Sequence, residues 1–158
     1  GNAQSSATES AVSSEASSTA ESSTEASSDT AQTSGTAAEI TAKIQADVKF
    51  PGMAEIGTER MSGYYDVASD KIESYSAFIC GSGAYPDEIA VFQLKSADDV
   101  ADVKAMLEKR VEAPVEDYTP DEMYKIDGKN VVTSGNYVAL IICADNAKAI
   151  DDFNSMAK

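Results

Sequence analysis

The chain has no histidine and no tryptophan, and only two cysteines, in 158 residues. Without histidine, the usual general base of serine and cysteine hydrolases and the commonest transition-metal ligand are missing. The 12 basic residues face 27 acidic ones, for a net charge of −15. Nucleic-acid binding requires clustered Lys and Arg, so this charge argues against it. No apolar run reaches the roughly 18 residues that a membrane-spanning helix requires. The sequence predicts no cofactor and no metal site.

The two cysteines, Cys80 and Cys143, each end an apolar run. Free cysteine is among the most buried residue types, so two buried thiols are the favoured interpretation. A disulfide between them stays open, because sequence alone cannot show whether two cysteines lie close enough to pair. The chain has no Cys-x-x-Cys motif, which argues against a redox role.

Residues 1–36 differ in composition from the rest of the chain. They are mostly Ser, Thr, Ala and Glu, with Val12 as the only branched aliphatic residue and no aromatic residue. Such a segment cannot bury enough apolar surface to offset the roughly 1–2 kcal/mol per residue that ordering the backbone costs. We predict a disordered tether over residues 1–36 and a single α+β domain over residues 37–158.

The domain shows alternating strand and helix patterns. Thr36, Ser96 and Thr119 each begin a capping-box pattern that predicts a helix start. Residues 53–67 are compatible with either a short helix or a loop. The remaining segments predict two β-hairpins, one over residues 71–94 and one over residues 129–143, each followed by an amphipathic helix.

The two hairpin-helix units resemble each other when residues 88–94 are laid over residues 137–143. Neither hairpin can bury its apolar side alone, so we expect both to join one sheet. The predicted fold is a four-stranded antiparallel sheet built from two ββα units, with helices on one face and an additional N-terminal helix.

Several segments together resemble a known family. The segments are Asp87-Glu-Ile-Ala-Val-Phe before a helix, Arg110 near the end of that helix, Tyr118-Thr-Pro-Asp-Glu, and the strand Gly135-Asn-Tyr-Val-Ala-Leu-Ile-Ile. They are similar to an uncharacterised family of Gram-positive lipoproteins, domain of unknown function 4358. The resemblance implies export, a lipid anchor on an upstream cysteine and an α+β fold. It implies no catalytic or binding residue.

Candidate chemistry is sparse, and the aromatic residues are the best lead. Ser82 and Cys80 have no histidine partner, and no phosphate-binding loop is present, so we predict that the protein is not an enzyme. Tyrosines in or beside predicted loops and short helices could line a ligand groove or close the ends of the core. These candidate groove residues are Tyr64, Tyr65, Tyr85, Tyr118 and Tyr124.

The functional expectation is an extracytoplasmic, lipid-anchored binding module for a protein, peptide or glycan partner at the cell envelope. The alternative is a small cell-envelope hydrolase that uses acidic residues. A hydrolase would show carboxylates converging in a cleft with raised pKa values, whereas a binding module would show an exposed apolar or aromatic patch.

Overall fold

The computed structural model describes residues 36–112 and 118–158, and the predicted tether over residues 1–36, apart from Thr36, lies outside these residues. Residues Thr36–Lys158 form one compact unit. Within the described residues, three α-helices and five strands alternate with short 3₁₀ helices at Thr58–Gly63, Ser69–Lys71, Ala97–Asp99 and Pro120–Lys125. In chain order the main elements are α1 (Ala37–Asp47), β1 (Met53–Glu55), β2 (Ile72–Cys80), β3 (Glu88–Leu94), α2 (Val100–Glu112), β4 (Val131–Ser134), β5 (Tyr137–Ile142) and α3 (Asn146–Met156).

All five strands join one antiparallel sheet in the order β1-β2-β3-β5-β4. The two hairpins, β2-β3 and β4-β5, meet through the pairing of β3 with β5. The α+β class and the shared sheet agree with the sequence analysis, but the prediction of four strands is wrong. The additional strand β1 pairs with the end of β2, where Met53 lies opposite Cys80.

Helices cover both faces of the sheet, so the prediction of helices on one face is also wrong. On the first face α1 and α3 pack on alternate side chains of β3 and β5, including Ile89 and Ile141. On the second face α2 packs on the intervening side chains, including Phe92 and Leu140. Because successive side chains of a strand point to opposite faces, β3 and β5 contribute to both cores.

Helix starts follow the local sequence at two of the three predicted positions. Thr36 and Glu39 form the complete capping box that opens α1. The Ser96 hydroxyl accepts a hydrogen bond from the Asp98 amide just before α2. Thr119 is different: it precedes a 3₁₀ helix, and its side chain makes no capping hydrogen bond. Pro120 at the first helical position, with its fixed φ, favours the helix start without that bond.

The structure answers two questions that the sequence leaves open, the form of residues 53–67 and the state of the two cysteines. Residues 53–67 contain β1 and a 3₁₀ helix rather than an α-helix. Both cysteines are free and buried. Within residues 36–112 and 118–158, no helix has the length and apolar character needed to cross a membrane.

Candidate functional site

A groove lies at the end of the second sheet face, where β3 begins and α2 ends. Its volume is about 530 Å³, which is within the range of small-molecule and peptide side-chain sites. We call it the tyrosine groove. The residues that line it are Tyr64, Asp66, Ile79, Tyr85, Pro86, Glu88, Met106, Lys109, Arg110, Tyr118, Ile126 and Ile142.

The sheet provides one wall of the tyrosine groove through a row of three paired residues. Glu88 on β3 lies opposite Ile79 on β2 and opposite Ile142 on β5. Residues paired across antiparallel strands project from the same face, so these three side chains stand side by side. The row places one carboxylate between two branched aliphatic side chains.

Arg110 on α2 neutralises this carboxylate. Its Nε atom lies 2.7 Å from Glu88 Oε2, and its Nη2 atom lies 3.1 Å from Oε1. The Tyr65 hydroxyl donates to the same Oε2 atom at 2.5 Å. A bidentate guanidinium-carboxylate pair is among the stronger polar interactions in proteins. Both oxygens of Glu88 are therefore engaged, and Glu88 is not free to act as a base.

The Glu88-Arg110 pair also affects the pKa values of Arg110 itself and of Tyr65. Burial alone would lower the pKa of Arg110, but its hydrogen bonds to Glu88 and the Glu88 charge raise that pKa overall. Burial, reinforced by the Glu88 charge, raises the pKa of Tyr65 far above its usual value. The guanidinium carbon of Arg110 lies 5.6 Å from the ring centre of Tyr64 and 5.1 Å from that of Tyr65. Cation-π attraction to both rings thus helps to hold Arg110 in place.

The structure brings three of the five predicted tyrosines together. Tyr64, Tyr85 and Tyr118 line the tyrosine groove. Tyr65 is buried behind it, packed edge-on against Phe92 at 5.3 Å between ring centres. Tyr124 is 60% exposed and does not line the groove. A ligand role for these tyrosines stays a prediction.

The charged residues of this site, Glu88 and Arg110, are not among the site residues predicted from the sequence. Glu88 falls in the predicted hairpin over residues 71–94 with no role of its own, although a carboxylate beside an apolar run is a signal that a charged partner lies nearby. Arg110 was noted only as part of the family resemblance. It follows Met106 by four residues and Leu107 by three, so it lies at the edge of the apolar stripe of α2.

The described residues contain no metal centre. No group of three or more His, Cys, Asp or Glu side chains within residues 36–112 and 118–158 is arranged to hold a metal ion. The groove carboxylate Glu88 is paired with Arg110, and Asp66 lies exposed at the rim.

Comparison with known proteins gives one match. The family model of DUF4358, a domain of unknown function, matches residues 46–143. The chain belongs to the DUF4358 family. Every residue that lines the tyrosine groove lies inside the matched region of this DUF4358 domain. No curated protein and no solved structure gives a significant match.

Proposed function

We propose that this DUF4358 protein is a lipid-anchored, extracytoplasmic binding module without catalysis, and that its ligand site is the tyrosine groove. The observation that carries the proposal is the lining itself. Three tyrosines and five apolar side chains line the groove around the Glu88-Arg110 pair, in which the two charges balance each other through two hydrogen bonds. Such a lining offers apolar contact area, and its one buried carboxylate, Glu88, is engaged by Arg110, which suits binding rather than hydrolysis.

The lining favours an apolar or aromatic side chain of a protein partner over a sugar. Sugars stack on aromatic rings, but each buried hydroxyl needs a hydrogen-bond partner, and leaving one unpaired costs about 1–3 kcal/mol. Asp66 and Lys109, both exposed, can offer such partners at the edge of the groove, but the aliphatic side chains of Ile79, Met106, Ile126 and Ile142 supply none. A phenylalanine or leucine side chain has no polar group and needs no hydrogen-bond partner in the groove.

Export and anchoring are supported by composition and by the family resemblance. The Ser/Thr/Ala/Glu-rich segment would give the domain reach from a membrane surface. Labelling of the natural precursor with radioactive palmitate tests the anchor: we expect incorporation that is lost when the upstream cysteine is replaced by serine. A precursor that incorporates no label and fractionates with the cytoplasm would contradict this part of the proposal.

The ligand site is tested by NMR titration of the full chain with N-acetylphenylalanine amide. We expect saturable shifts of the resonances of Tyr64, Tyr85, Tyr118 and Ile126. Tyr118→Ala should weaken binding about two- to tenfold, since an aromatic contact contributes about 0.5–1.5 kcal/mol.

Tyr124→Ala is the matched control, because Tyr124 is exposed and does not line the groove. Equal effects of the two substitutions, or shifts elsewhere than in the groove, would refute the site. A parallel titration with chitotriose distinguishes the ligand classes. If chitotriose saturates the groove and the phenylalanine amide does not, the partner is a glycan.

A further inference from the structure

The strand β4 is an open edge of the sheet. It ends the order β1-β2-β3-β5-β4, and β5 is its one strand partner among the described residues. Exposed edges are commonly protected by lysine, proline or a bulge. Val131–Ser134 contains no charged residue and no proline, and its pairing with β5 has no register shift. An edge of this kind can accept a further strand through main-chain hydrogen bonds.

The backbone groups that face outward on β4 follow from its pairing with β5. The Asn130 carbonyl accepts a hydrogen bond from the Ile141 amide at 2.7 Å. Because antiparallel pairing alternates, Val132 also directs its N–H and C=O groups to β5, whereas Val131 and Thr133 direct theirs away from the sheet. These outward groups make no hydrogen bond within residues 36–112 and 118–158. They offer two donors and two acceptors to an added strand.

A cavity of about 370 Å³ lies beside this edge, between the end of α2 and the start of β4. We call it the edge pocket. The residues that line it are Glu108, Val111, Glu112, Ile126, Gly128, Asn130 and Val131. Val131 contributes to the core on the second face of the sheet. A residue that pairs with Val131 on an added strand projects its side chain from the same face, and thus beside the edge pocket.

The charges of the edge pocket favour a basic side chain. Its charged residues are Glu108 and Glu112, one turn apart on α2, and no Lys or Arg lines it. Lys104 pairs with Glu108, but the two side chains are 43% and 49% exposed, so this pair is weak. Glu112 has no ion-pair partner in the described part of the chain. Residues 37–158, with 22 acidic and 12 basic residues, carry a net charge of −10, which also attracts a cation.

The edge pocket also suits the stem of a basic side chain. Lysine and arginine place their methylene groups on apolar surface while the charged end stays in water. Val111 is buried, and Ile126 and Val131 are half-buried. A basic residue opposite Val131 can therefore lay its stem on these three side chains and direct its charge to Glu108 and Glu112.

We propose that β4 receives an extended segment of a protein partner as a sixth, antiparallel strand, with a basic side chain of that segment in the edge pocket. The main-chain hydrogen bonds to Val131 and Thr133 provide affinity, and the edge pocket selects the basic residue. The site is distinct from the tyrosine groove, although Ile126 lines both cavities. It rests on the proposed function only in that the partner is a protein.

Hydrogen exchange of the full chain, followed by NMR, tests the added strand. The probe is acetyl-Thr-Val-Lys-Val-Thr-amide, whose lysine pairs with Val131 and whose first threonine pairs with Thr133. In the free protein the amides of Val131 and Thr133 should exchange rapidly and that of Val132 slowly. At a peptide concentration ten times its Kd, exchange at Val131 and Thr133 should slow about tenfold, because it then requires the peptide to leave. Exchange at Val132 should not change.

A second peptide, with norleucine in place of lysine, tests the charge. We expect the lysine peptide to bind about two- to fivefold more tightly, as is usual for exposed charge pairs. The difference should disappear in about 1 M salt, which screens such pairs. Glu112→Gln should reduce the preference. Glu73→Gln is the matched control, because Glu73 is exposed on β2 and does not line the edge pocket.

Thr133→Pro removes one outward donor and leaves the bonds to β5 in place, since proline is tolerated where an edge N–H faces solvent. It should weaken binding of the lysine peptide about two- to tenfold, the contribution of a hydrogen bond. Thr133→Ala is the matched control, because it keeps the N–H group, and it should bind almost as the natural protein does. Equal affinities of these two variants would contradict strand addition.

N-methylation of the lysine in the peptide gives an independent result if Thr133→Pro does not fold. In antiparallel pairing this N–H faces Val131, so the methylated peptide should no longer slow exchange at Val131 and Thr133. A methylated peptide that protects both amides as well as the original would overturn the added strand.

The remaining outcomes separate the possible occupants and the two proposals. Equal binding of the lysine and norleucine peptides would refute recognition of a basic residue. Protection of Val131 and Thr133 without peptide, increasing with protein concentration, would show that a second copy of the chain occupies the edge, and would overturn the partner segment. If the phenylalanine amide saturates the tyrosine groove but the lysine peptide protects neither amide, only the edge site fails. If the lysine peptide protects both amides and the phenylalanine amide does not bind, only the groove fails.

Discussion

Glu88 is the residue that most directly links stability to the groove. Its side chain is 7% exposed and is held by Arg110, whose side chain is 27% exposed. Glu88→Gln would leave the guanidinium group without its anion in a largely buried position. We expect a loss of about 3 kcal/mol in the free energy of unfolding, the lower end of the range for a broken buried pair because Arg110 retains some solvent.

Urea unfolding followed by circular dichroism measures this loss. Glu108→Gln is the control, on the helix that carries Arg110, because Glu108 forms an exposed pair with Lys104, and such pairs contribute about 0.3–0.5 kcal/mol. Similar losses in the two variants would show that the Glu88 pair is no more important than a surface pair.

The two thiols should differ in reactivity. Burial raises the pKa of Cys80, but hydrogen bonds with the Ser82 side chain and with the backbone of Tyr85, Ser82 and Gly83 outweigh it and lower the pKa overall. Burial raises the pKa of Cys143 to about 11. The thiolate is the reactive form, so at pH 8 iodoacetamide should modify Cys80 at least about tenfold faster than Cys143.

Peptide mass spectrometry over time gives the two modification rates. The same experiment in concentrated urea is the control, where both thiols should react at similar rates because the fold no longer distinguishes them. Faster modification of Cys143 in the folded protein would contradict the assignment.

At the scale of an element, α3 carries a buried carboxylate that makes stability depend on pH. Asp152 lies on the buried side of α3, 3.2 Å from Lys148 Nζ. Burial, together with the neighbouring Asp47, raises the pKa of Asp152 above 3.8. The fold thus disfavours the charged form, and stability falls as the pH rises from the unfolded pKa of about 3.9 through the raised folded value.

Asp152→Asn should therefore be at least as stable as the natural protein at pH 7, because the amide carries no charge to bury. The advantage should vanish at pH 3, where the aspartate is protonated in the unfolded chain and in the fold. Urea midpoints at both pH values measure this, with the exposed Asp151→Asn as control. A clear loss of stability at pH 7 would show that the Lys148 pair outweighs the cost of burial.

Most elements could be predicted from the sequence because their patterns are local. The capping box at Thr36 and the apolar stripe that follows it are sufficient to define α1. The strand β1 could not be predicted, because Met53–Glu55 has only three residues and is a strand through its pairing with β2. The covering of both sheet faces was predictable: residues 89–92 of β3 and the whole of β5 are continuous apolar runs, which is typical of strands buried on both sides.

The candidate site was only partly predictable, for a related physical reason. Three loop tyrosines meet at one groove because β2 and α2 end there and β3 begins there, and a list of tyrosines cannot show this. The pairing of Glu88 with Arg110 joins residues 22 positions apart in sequence. It depends on the angle at which α2 returns across the sheet, which is set by packing in the core.

At the scale of the whole molecule, one sheet serves two cores. Phe153 of α3 packs against Tyr137 in the first core, and Phe92 of β3 packs against Tyr65 in the second. Because β3 and β5 supply side chains to both cores, loss of packing on one face should weaken the pairing of the strands that support the other. We therefore expect cooperative unfolding of the domain in a single transition.

Phe153→Ala tests this coupling. It should lower the free energy of unfolding by about 3–5 kcal/mol, as is usual for a buried phenylalanine. The chain has no tryptophan, so its fluorescence comes from tyrosine, and only Tyr137 among the tyrosines belongs to the first core in the described residues. The urea midpoint from tyrosine fluorescence should therefore fall together with that from circular dichroism. If the fluorescence midpoint stayed at its original value while circular dichroism showed an earlier step, the two faces would be unfolding independently.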